Sequence, residues 1–294
     1  MYRWHLPILA ARRAGIIAAA ATRSQSTSGA GARFVDIQVR ELTGENAGTA
    51  VLLLSRPAAR NALSISMLAE FAAALESISS RAAASGGGGP LRALVVASDS
   101  PGVFCSGADL KERAKLAPDA VTRVVDSIRS AFDQLAAMPL PTIAVVEGVA
   151  LGGGTEMALA CDFRVAGADA AFGLPETALA IIPGAGGTAR LPKLIGYTRA
   201  KEIIYSARRV GAVEAKTIGL ACALTPAGGA LDAALALART FKNSGPVALR
   251  AAKEAIDGGP GAEGRAYARV LPTEDRLEGL AAFKEKRAPV YKGR

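Results

Sequence analysis

The stretch LGGGTEMALACDFRVA, residues 151–166, decides the fold of this chain. It follows an apolar run at 143–146 that predicts a buried strand, and its residues 157–160 favour a helix. Residues 163–165 predict the next strand, so strand, glycine turn, helix and strand indicate an α/β fold. Glycines at a helix N-terminus let backbone N–H groups approach a ligand closely. Packing of the helix against the sheet requires the same small residues, and the glycines alone favour neither interpretation.

Strands alternate with helices over the first two thirds of the chain, and helices dominate the last third. Alternating residues at 35–39 predict a half-buried strand that forms a hairpin with the apolar run at 50–54. Apolar residues at helical spacing between 68 and 78 predict the first helix, with Ser64 as its N-cap. The pattern indicates an α/β core followed by a helical extension. The other predicted strands are 93–97 and 170–172, and the other predicted helices are 121–135, 199–208, 213–219, 231–242, 247–257 and 273–287.

The first 35 residues differ in composition from the rest. They contain five arginines, several serines and runs of alanine, and no acidic residue. This composition is typical of a mitochondrial transit peptide, which we place at residues 1–33, with a disordered basic tail as the alternative. The formal net charge falls from +9 to +4 when those five arginines are left out. Charge is therefore weak evidence for a nucleic-acid partner.

Several kinds of site are excluded by residue counts. The only histidine is His5, which falls in the predicted transit peptide. Nucleophile systems and metal sites that need histidine are therefore excluded from the mature chain, and proton transfer is left to carboxylates, Lys, Tyr or Cys. Cys105, Cys161 and Cys222 are widely spaced and form no CxxC, which argues for a reducing compartment and against a zinc site. No apolar run is long enough to span a bilayer.

Two glutamates are candidates for acid–base catalysis. Glu156 follows the glycines at 152–154, and Glu176 follows the sequence FGLP at 172–175. Their neighbours in the sequence are small or apolar, so burial would shift the pKa of both carboxyl groups. The alternative is that both side chains are solvated, which is the more usual state of a glutamate.

Two further glycine turns are present. FCSGAD at 104–109 follows the predicted strand at 93–97, and its N–H groups together with those of 152–154 would form an oxyanion hole. Taken alone, it is more simply a strand-to-helix loop. PGAGGTA at 183–189 is similar to a dinucleotide fingerprint, which we reject because Pro183 interrupts it and no suitably spaced acid follows. We interpret this stretch as a turn that lets the loop after Glu176 pack back.

Six segments, in order, resemble the crotonase or enoyl-CoA hydratase/isomerase family, from about residue 34 to the end of the chain. They are RP at 56–57 with NAL at 61–63, FCSGADLKE at 104–112, LGGGTEMALACDFRVA at 151–166, FGLPE at 172–176, IPGAGGTARLP at 182–192 and RLEGLAAFKEKR at 276–287. The resemblance implies a spiral core of ββα units over residues 34–225. It also implies a C-terminal helical trimerisation region over residues 226–294, in a homotrimer or a homohexamer.

The resemblance also implies a reaction. We expect an enoyl-CoA hydratase, a hydro-lyase that reversibly adds water across the 2,3 double bond of a 2-enoyl-CoA. Glu156 would accept a proton from the water and Glu176 would deliver one to Cα, while the N–H groups of Ser106 and Gly153 would stabilise the thioester oxygen. No metal and no cofactor are expected, since coenzyme A is part of the substrate. The expected contacts with coenzyme A are Ala59, Arg60, Ser106, Gly107, Ala108, Asp109, Leu110 and, across a subunit boundary, Lys284.

The resemblance leaves the substrate and some partners open. A place in the mitochondrial matrix, in fatty-acid or branched-chain amino-acid breakdown, is expected, with 3-methylglutaconyl-CoA among the candidate substrates. An isomerase or another CoA lyase on the same scaffold is the alternative, and an RNA-binding relative is a third. RNA binding is not expected because the helix at 64–84, SISMLAEFAAALESISSRAAA, has no lysine. No membrane partner is expected. The segment 257–271 is shorter and richer in glycine than the helix of the family there.

Overall fold

The computed structural model describes residues 35–83 and 91–294. The transit peptide predicted at 1–33 lies outside these ranges and stays a prediction. Ten strands are present in the described residues. They are β1 (Ile37–Glu41), β2 (Thr49–Leu54), β3 (Ala93–Ser98), β4 (Val103–Cys105), β5 (Thr142–Val146), β6 (Val149–Leu151), β7 (Phe163–Gly167), β8 (Ala171–Gly173), β9 (Arg209–Gly211) and β10 (Ala223–Thr225).

The strands form two sheets. The larger has the order β1-β2-β3-β5-β7-β10, in which β1 and β2 form the predicted antiparallel hairpin and all other neighbours are parallel. The smaller has the order β4-β6-β8-β9, with β9 antiparallel to β8. The pairs β3–β4, β5–β6 and β7–β8 each place one strand in the large sheet and the next in the small one. The chain therefore winds as a spiral, and the predicted α/β fold is confirmed.

Eleven α-helices lie in the described residues. They are α1 (Ile65–Ala83), α2 (Leu110–Arg113), α3 (Pro118–Ala136), α4 (Gly153–Ala160), α5 (Gly187–Ile195), α6 (Tyr197–Ser206), α7 (Ala212–Thr217), α8 (Ala230–Thr240), α9 (Pro246–Gly258), α10 (Glu263–Val270) and α11 (Glu274–Glu285). The predicted helices from residue 199 onward are all confirmed within two residues. None of the helices in the described segments is both long and apolar enough to cross a membrane.

The large sheet is buried on both faces. In β3, Leu94 and Val96 pack in one apolar cluster, and Val95 packs in a second cluster on the opposite face. The first cluster also holds Phe104 of β4, so it fills the space between the two sheets. The second is covered by α8, through residues that include Leu235. A sheet covered on both sides explains why its central strands are continuous apolar runs.

The C-terminal helices differ in what they cover. The region predicted as a helical extension begins at residue 226, but its first helix, α8, packs on the large sheet and completes the core. In the glycine-rich segment 257–271, Gly259 and Gly261 have positive φ and form the turn between α9 and α10. A Cβ on Gly258 would lie 2.6 Å from the Cβ of Ala262, so the glycine allows the two helices to approach closely. The glycines thus shape a turn, and α10 still forms after it.

The first strand begins later than predicted. Val35 is 72% exposed, and pairing in the sheet starts at Ile37. The N–H groups of Val35, Asp36 and Ile37 donate instead to the carboxylate of Glu70 on α1, at 2.8–3.1 Å. A side chain 33 residues or more away therefore satisfies the donors that the sheet leaves unpaired.

Asn61 ties the loop before α1 to the spiral. The residue is fully buried and has a left-handed backbone, with φ at 52°. Its Oδ1 accepts from the N–H of Arg56 at 2.8 Å and from the hydroxyl of Ser100 at 3.1 Å. Its Nδ2 donates to Ser98 Oγ and to the carbonyl of Phe104, at 2.8 and 2.9 Å. All four hydrogen-bonding positions of the amide are therefore used.

The substitution Asn61→Ala should lower the free energy of unfolding by about 3 kcal/mol, because several buried polar groups would lose their partner at once. Urea denaturation followed by circular dichroism measures this. Asn243→Ala is the matched control, since that side chain is exposed, and a change within about 0.5 kcal/mol is expected there. Equal losses in the two variants would contradict the structural role of Asn61.

Candidate active site

Three glycines at the start of α4 each have a separate steric role. Gly152 has φ at 51°, and a Cβ there would lie 2.9 Å from Oε1 of Glu176. A Cβ on Gly154 would lie 2.1 Å from the carbonyl oxygen of Cys105. Gly153 is the first residue of α4, so its N–H has no acceptor within the helix. The packing interpretation is therefore confirmed at Gly154, and the interpretation of the Gly153 amide as a ligand contact stays a prediction.

A second backbone segment meets these glycines at Gly107. Its φ is 94°, and a Cβ there would lie 2.8 Å from the carbonyl oxygen of Leu151 and 3.3 Å from the amide nitrogen of Gly153. On the other side, the Gly107 carbonyl accepts from Leu63, and Asp109 donates to the Leu63 carbonyl. Two loops from different turns of the spiral are thus in direct backbone contact, which only glycine permits.

The Ala108 amide lies between these two bonds and faces the other way. In the parallel bridge, the neighbours of Ala108 bond to Leu63, and within the described chain the Ala108 N–H donates to no acceptor. A Cβ built on Gly153 would lie 3.8 Å from the Ala108 nitrogen. Two backbone donors, those of Ala108 and Gly153, are therefore adjacent and available to one oxygen.

The structure corrects the predicted role of Ser106 in this pair. The Ser106 N–H donates to the carbonyl of Arg60 at 3.1 Å, so it is already used. Two residues later, the N–H of Ala108 donates to no acceptor in the described chain. The oxyanion donors that the geometry supports are the amides of Ala108 and Gly153.

Glu156 is buried and held by two amides. The residue is 3% exposed, and its Oε1 accepts from the N–H groups of Ala185 and Gly187, each at 2.8 Å. Burial raises the pKa of this carboxyl, and the two amides oppose the rise by stabilising the charged form. Both donors belong to the glycine turn at 183–189, which packs back on the site as predicted.

Helix α3 fixes that turn from the other side. Arg190 donates to the carbonyl of Ala185 at 3.0 Å and to the carboxylate of Asp133 at 2.5 Å. Arg129 donates to the carbonyl of Gly184 at 2.9 Å. The stretch predicted only as a turn also begins α5 at Gly187, after Gly186 in a left-handed conformation. Sequence alone did not identify Ala185 and Gly187 as contacts of Glu156.

Glu176 has a different environment. It lies in the first turn of a short 3-10 helix, Pro175–Leu179, that follows β8. Its Oε2 is buried and has no hydrogen-bond partner in the described chain. Burial raises the pKa of Glu176 to about 7, and the nearby charge of Glu156 adds to the rise. The structure thus brings the two predicted glutamates together, one held by donors and the other free to bond a ligand.

A narrow pocket opens beside Ala108. The pocket is small and partly open to solvent. Its apolar wall consists of Leu116 and, from α3, Val124, Val125 and Ile128. A small apolar group bound here would lie next to one of the two available amides.

The other residues predicted to contact coenzyme A lie mainly on two adjacent loops. Ala59 ends a 3-10 helix, Pro57–Ala59, and the carbonyl of Arg60 accepts from Ser106, which joins the loops. The Asp109 side chain binds Arg56 at 2.9 Å and caps α2, so it already has partners within the chain. Lys284 is exposed on α11 and makes no hydrogen bond with these loops in the described residues. The structure therefore brings together Ala59, Arg60 and residues 106–110, but not Lys284.

In residues 35–83 and 91–294, no group of three or more His, Cys, Asp or Glu side chains is arranged to hold a metal ion. Cys105 is buried, and burial raises its pKa to about 12. A thiol held in its neutral form is a poor nucleophile. The candidates for proton transfer that remain are the two glutamates.

Known proteins are similar to this chain in sequence and in fold. A model of the enoyl-CoA hydratase/isomerase family matches residues 44–294. The chain is 45% identical over 265 residues to a probable enoyl-CoA hydratase 2, mitochondrial, of Arabidopsis thaliana, with 87% of this chain and 86% of that protein covered. It is 46% identical over 270 residues to the mitochondrial methylglutaconyl-CoA hydratase of Homo sapiens, with 88% and 78% covered.

A solved structure gives the same result for the fold. The crystal structure of enoyl-CoA hydratase from Bacillus anthracis matches with a TM-score of 0.81 at 42% identity, covering 88% of this chain and 100% of that one. The predicted crotonase-like spiral is thereby confirmed. The family match over most of the chain and the relatives above 40% identity lead to one conclusion. The chain belongs to the enoyl-CoA hydratase/isomerase family, also called the crotonase family.

Proposed function

We propose that this chain is a hydro-lyase that hydrates 2-enoyl-CoA thioesters. One observation carries the proposal: two glutamates with raised pKa values, Glu156 buried and Glu176 half-buried, lie beside two available backbone amides. Paired acids suit the addition of water, because one proton must leave the water while another reaches the substrate. Membership of the family supports the thioester as substrate.

The reaction follows from where charge develops. The N–H groups of Ala108 and Gly153 would bind the thioester oxygen and stabilise the negative charge that appears there when water attacks C3. Glu156 would take the proton that the water loses, so that hydroxide adds to C3. Glu176 would give its proton to C2, and the product is the 3-hydroxyacyl thioester. One water is consumed. Transfer of a proton from Glu156 to Glu176 would then restore the starting protonation states.

The electrostatics support this division of roles. Glu156 accepts two N–H bonds, which favour its charged form and suit a base. Glu176 has a pKa of about 7, so much of it is protonated near neutral pH, as an acid requires. Its unpartnered Oε2 supports a direct bond to water or substrate. No metal or cofactor is part of this proposal.

We also propose that the chain forms a homo-oligomer and is located in the mitochondrial matrix. Large apolar side chains are exposed on α9, α10 and α11, among them Ile256, Tyr267 and Phe283, of which Phe283 is 86% exposed. Exposed apolar surface of this kind supports a homotrimer or homohexamer in which Lys284 reaches the coenzyme A of a neighbour. Relatives described as mitochondrial, together with the arginine-rich start, support the mitochondrial matrix and removal of residues 1–33.

The other candidate functions are less well supported. An isomerase or other CoA lyase on this scaffold would need only one of the two acids, whereas the pKa of both is raised here. RNA binding would need exposed cations, and α1 carries a single basic residue, Arg81, which pairs with Glu41. Both observations favour hydration of a thioester.

Replacing either acid tests the proposal. Glu156→Gln and Glu176→Gln should each lower kcat for hydration of crotonyl-CoA by about 100-fold or more, because an amide cannot transfer the proton. Loss of absorbance of the conjugated thioester measures the rate, and tiglyl-CoA and 3-methylglutaconyl-CoA extend the panel. Glu76→Gln, on the exposed face of α1, is the control and should match the parent chain. Activity that survives loss of either acid would point to an isomerase or lyase instead.

The pH dependence follows from Glu176. Because hydration uses its protonated form, kcat/KM for crotonyl-CoA should fall as the pH rises through about 7. A rate profile of the parent chain measured across the neutral range shows this limb. In Glu176→Gln the residual rate should lose it, since no proton is left to titrate there. A parent profile that is flat through neutral pH would contradict the acid role.

Gly187→Ala tests the placement of the base. A Cβ at Gly187 would lie 3.0 Å from Oε1 of Glu156 and 3.0 Å from the Cβ of Pro183, so the turn must shift. We expect kcat to fall by about 10-fold or more while KM stays within about 3-fold, because the base moves and the thioester site does not. The control is Gly211→Ala, where a Cβ meets nothing within 4 Å. Equal kcat values in the two variants would show that the turn does not position Glu156.

A further inference from the structure

The pocket beside Ala108 contains one cation without a partner. Three charged residues line it, namely Asp109, Glu112 and Arg113. The Asp109 carboxylate binds Arg56 at 2.9 Å, and that of Glu112 accepts the N–H of Ile65 at 3.0 Å. In the described chain the Arg113 guanidinium makes no hydrogen bond and no ion pair. An arginine has five donors, and here none is used within the protein.

The position of Arg113 is fixed by its backbone. It is the last residue of α2, where its N–H donates to the carbonyl of Asp109 at 2.9 Å and its carbonyl accepts from Leu116 at 3.1 Å. The side chain is half-buried and lies on the pocket wall that otherwise consists of Leu116, Val125 and their apolar neighbours. A cation on an apolar wall is poorly suited to a plain hydrocarbon chain.

The pocket is also placed to receive the acyl chain. In the proposed reaction the N–H of Ala108 bonds the thioester oxygen, and Ala108 itself lines the pocket. A chain that leaves that carbonyl and enters the pocket passes the apolar wall and meets the guanidinium. The planar fork of an arginine matches a carboxylate with two parallel hydrogen bonds.

From this arrangement we infer that Arg113 is a specificity-determining residue that selects enoyl thioesters whose acyl chain ends in a carboxylate. The inference rests on the proposed hydratase function and adds the substrate class. The carboxylates of Asp109 and Glu112 are held by their own partners, so Arg113 is the group in the pocket left to bind an incoming anion. A site built to bond a polar group discriminates strongly against an analogue that lacks it.

Crotonyl-CoA and glutaconyl-CoA form a matched pair for the test, because they differ by one terminal carboxylate. The full chain should show a higher kcat/KM for glutaconyl-CoA. Arg113→Gln should lower kcat/KM for glutaconyl-CoA by about 10- to 100-fold, the range for losing a hydrogen-bonded charge, and change that for crotonyl-CoA by less than about 3-fold. Lys115→Gln is the control, since Lys115 is exposed two residues away and loses the same charge. It should leave both values unchanged.

The outcomes separate the inference from the function it rests on. Equal losses for both thioesters in Arg113→Gln would overturn the inference, because Arg113 would then act on the coenzyme A part that both share. Hydration of crotonyl-CoA but not glutaconyl-CoA by the parent chain would also overturn it, with the hydratase proposal intact. Hydration of neither would overturn both. Retained crotonyl-CoA activity in Arg113→Gln shows that the variant is folded.

Discussion

The close approach of Gly107 to Gly153 is the constraint on which the site depends. Any side chain at Gly107 would meet the carbonyl of Leu151 at 2.8 Å, so the loops after β4 and β6 could not touch. Their contact places the amides of Ala108 and Gly153 side by side, although the two residues belong to different turns of the spiral. The parallel pairing of β4 with β6 brings the ends of both strands to the same edge, where this contact forms.

The second constraint is that the two candidate carboxyl groups have different hydrogen-bond partners. Both Glu156 and Glu176 lose solvent, and burial raises the pKa of each. Glu156 receives compensating donors from another segment, Ala185 and Gly187, whereas the one that acts on Glu176 is its own backbone N–H. The backbone around them therefore gives identical side chains different environments, which suit the base and the acid of the proposed reaction.

Much of this could be predicted from sequence, and the failures have physical reasons. Central strands were predictable because a sheet buried on both faces demands continuous apolar runs, whereas β1 was placed too early because Glu70, not the sheet, takes the N–H groups of Val35 and Asp36. The two glutamates were found from residue type and motif. The donor at Ala108 was missed in favour of Ser106, because spacing does not show which amides of an extended loop the neighbouring Leu63 segment has taken. Likewise, the amides that hold Glu156 come from 29 and 31 residues away. Patterns of neighbouring residues do not predict contacts between residues so far apart in the sequence.

Helix α3 contacts both the pocket beside Ala108 and the turn that holds Glu156. Its residues Val124, Val125 and Ile128 form a wall of the pocket. Its Arg129 bonds directly to the turn whose amides hold Glu156, and its Asp133 binds Arg190, which bonds to the same turn. In the proposed reaction, a bulky acyl group that displaced this helix would also shift the turn whose amides hold Glu156. A poor fit would then lower the turnover rate as well as the affinity, because the proposed base would leave its position.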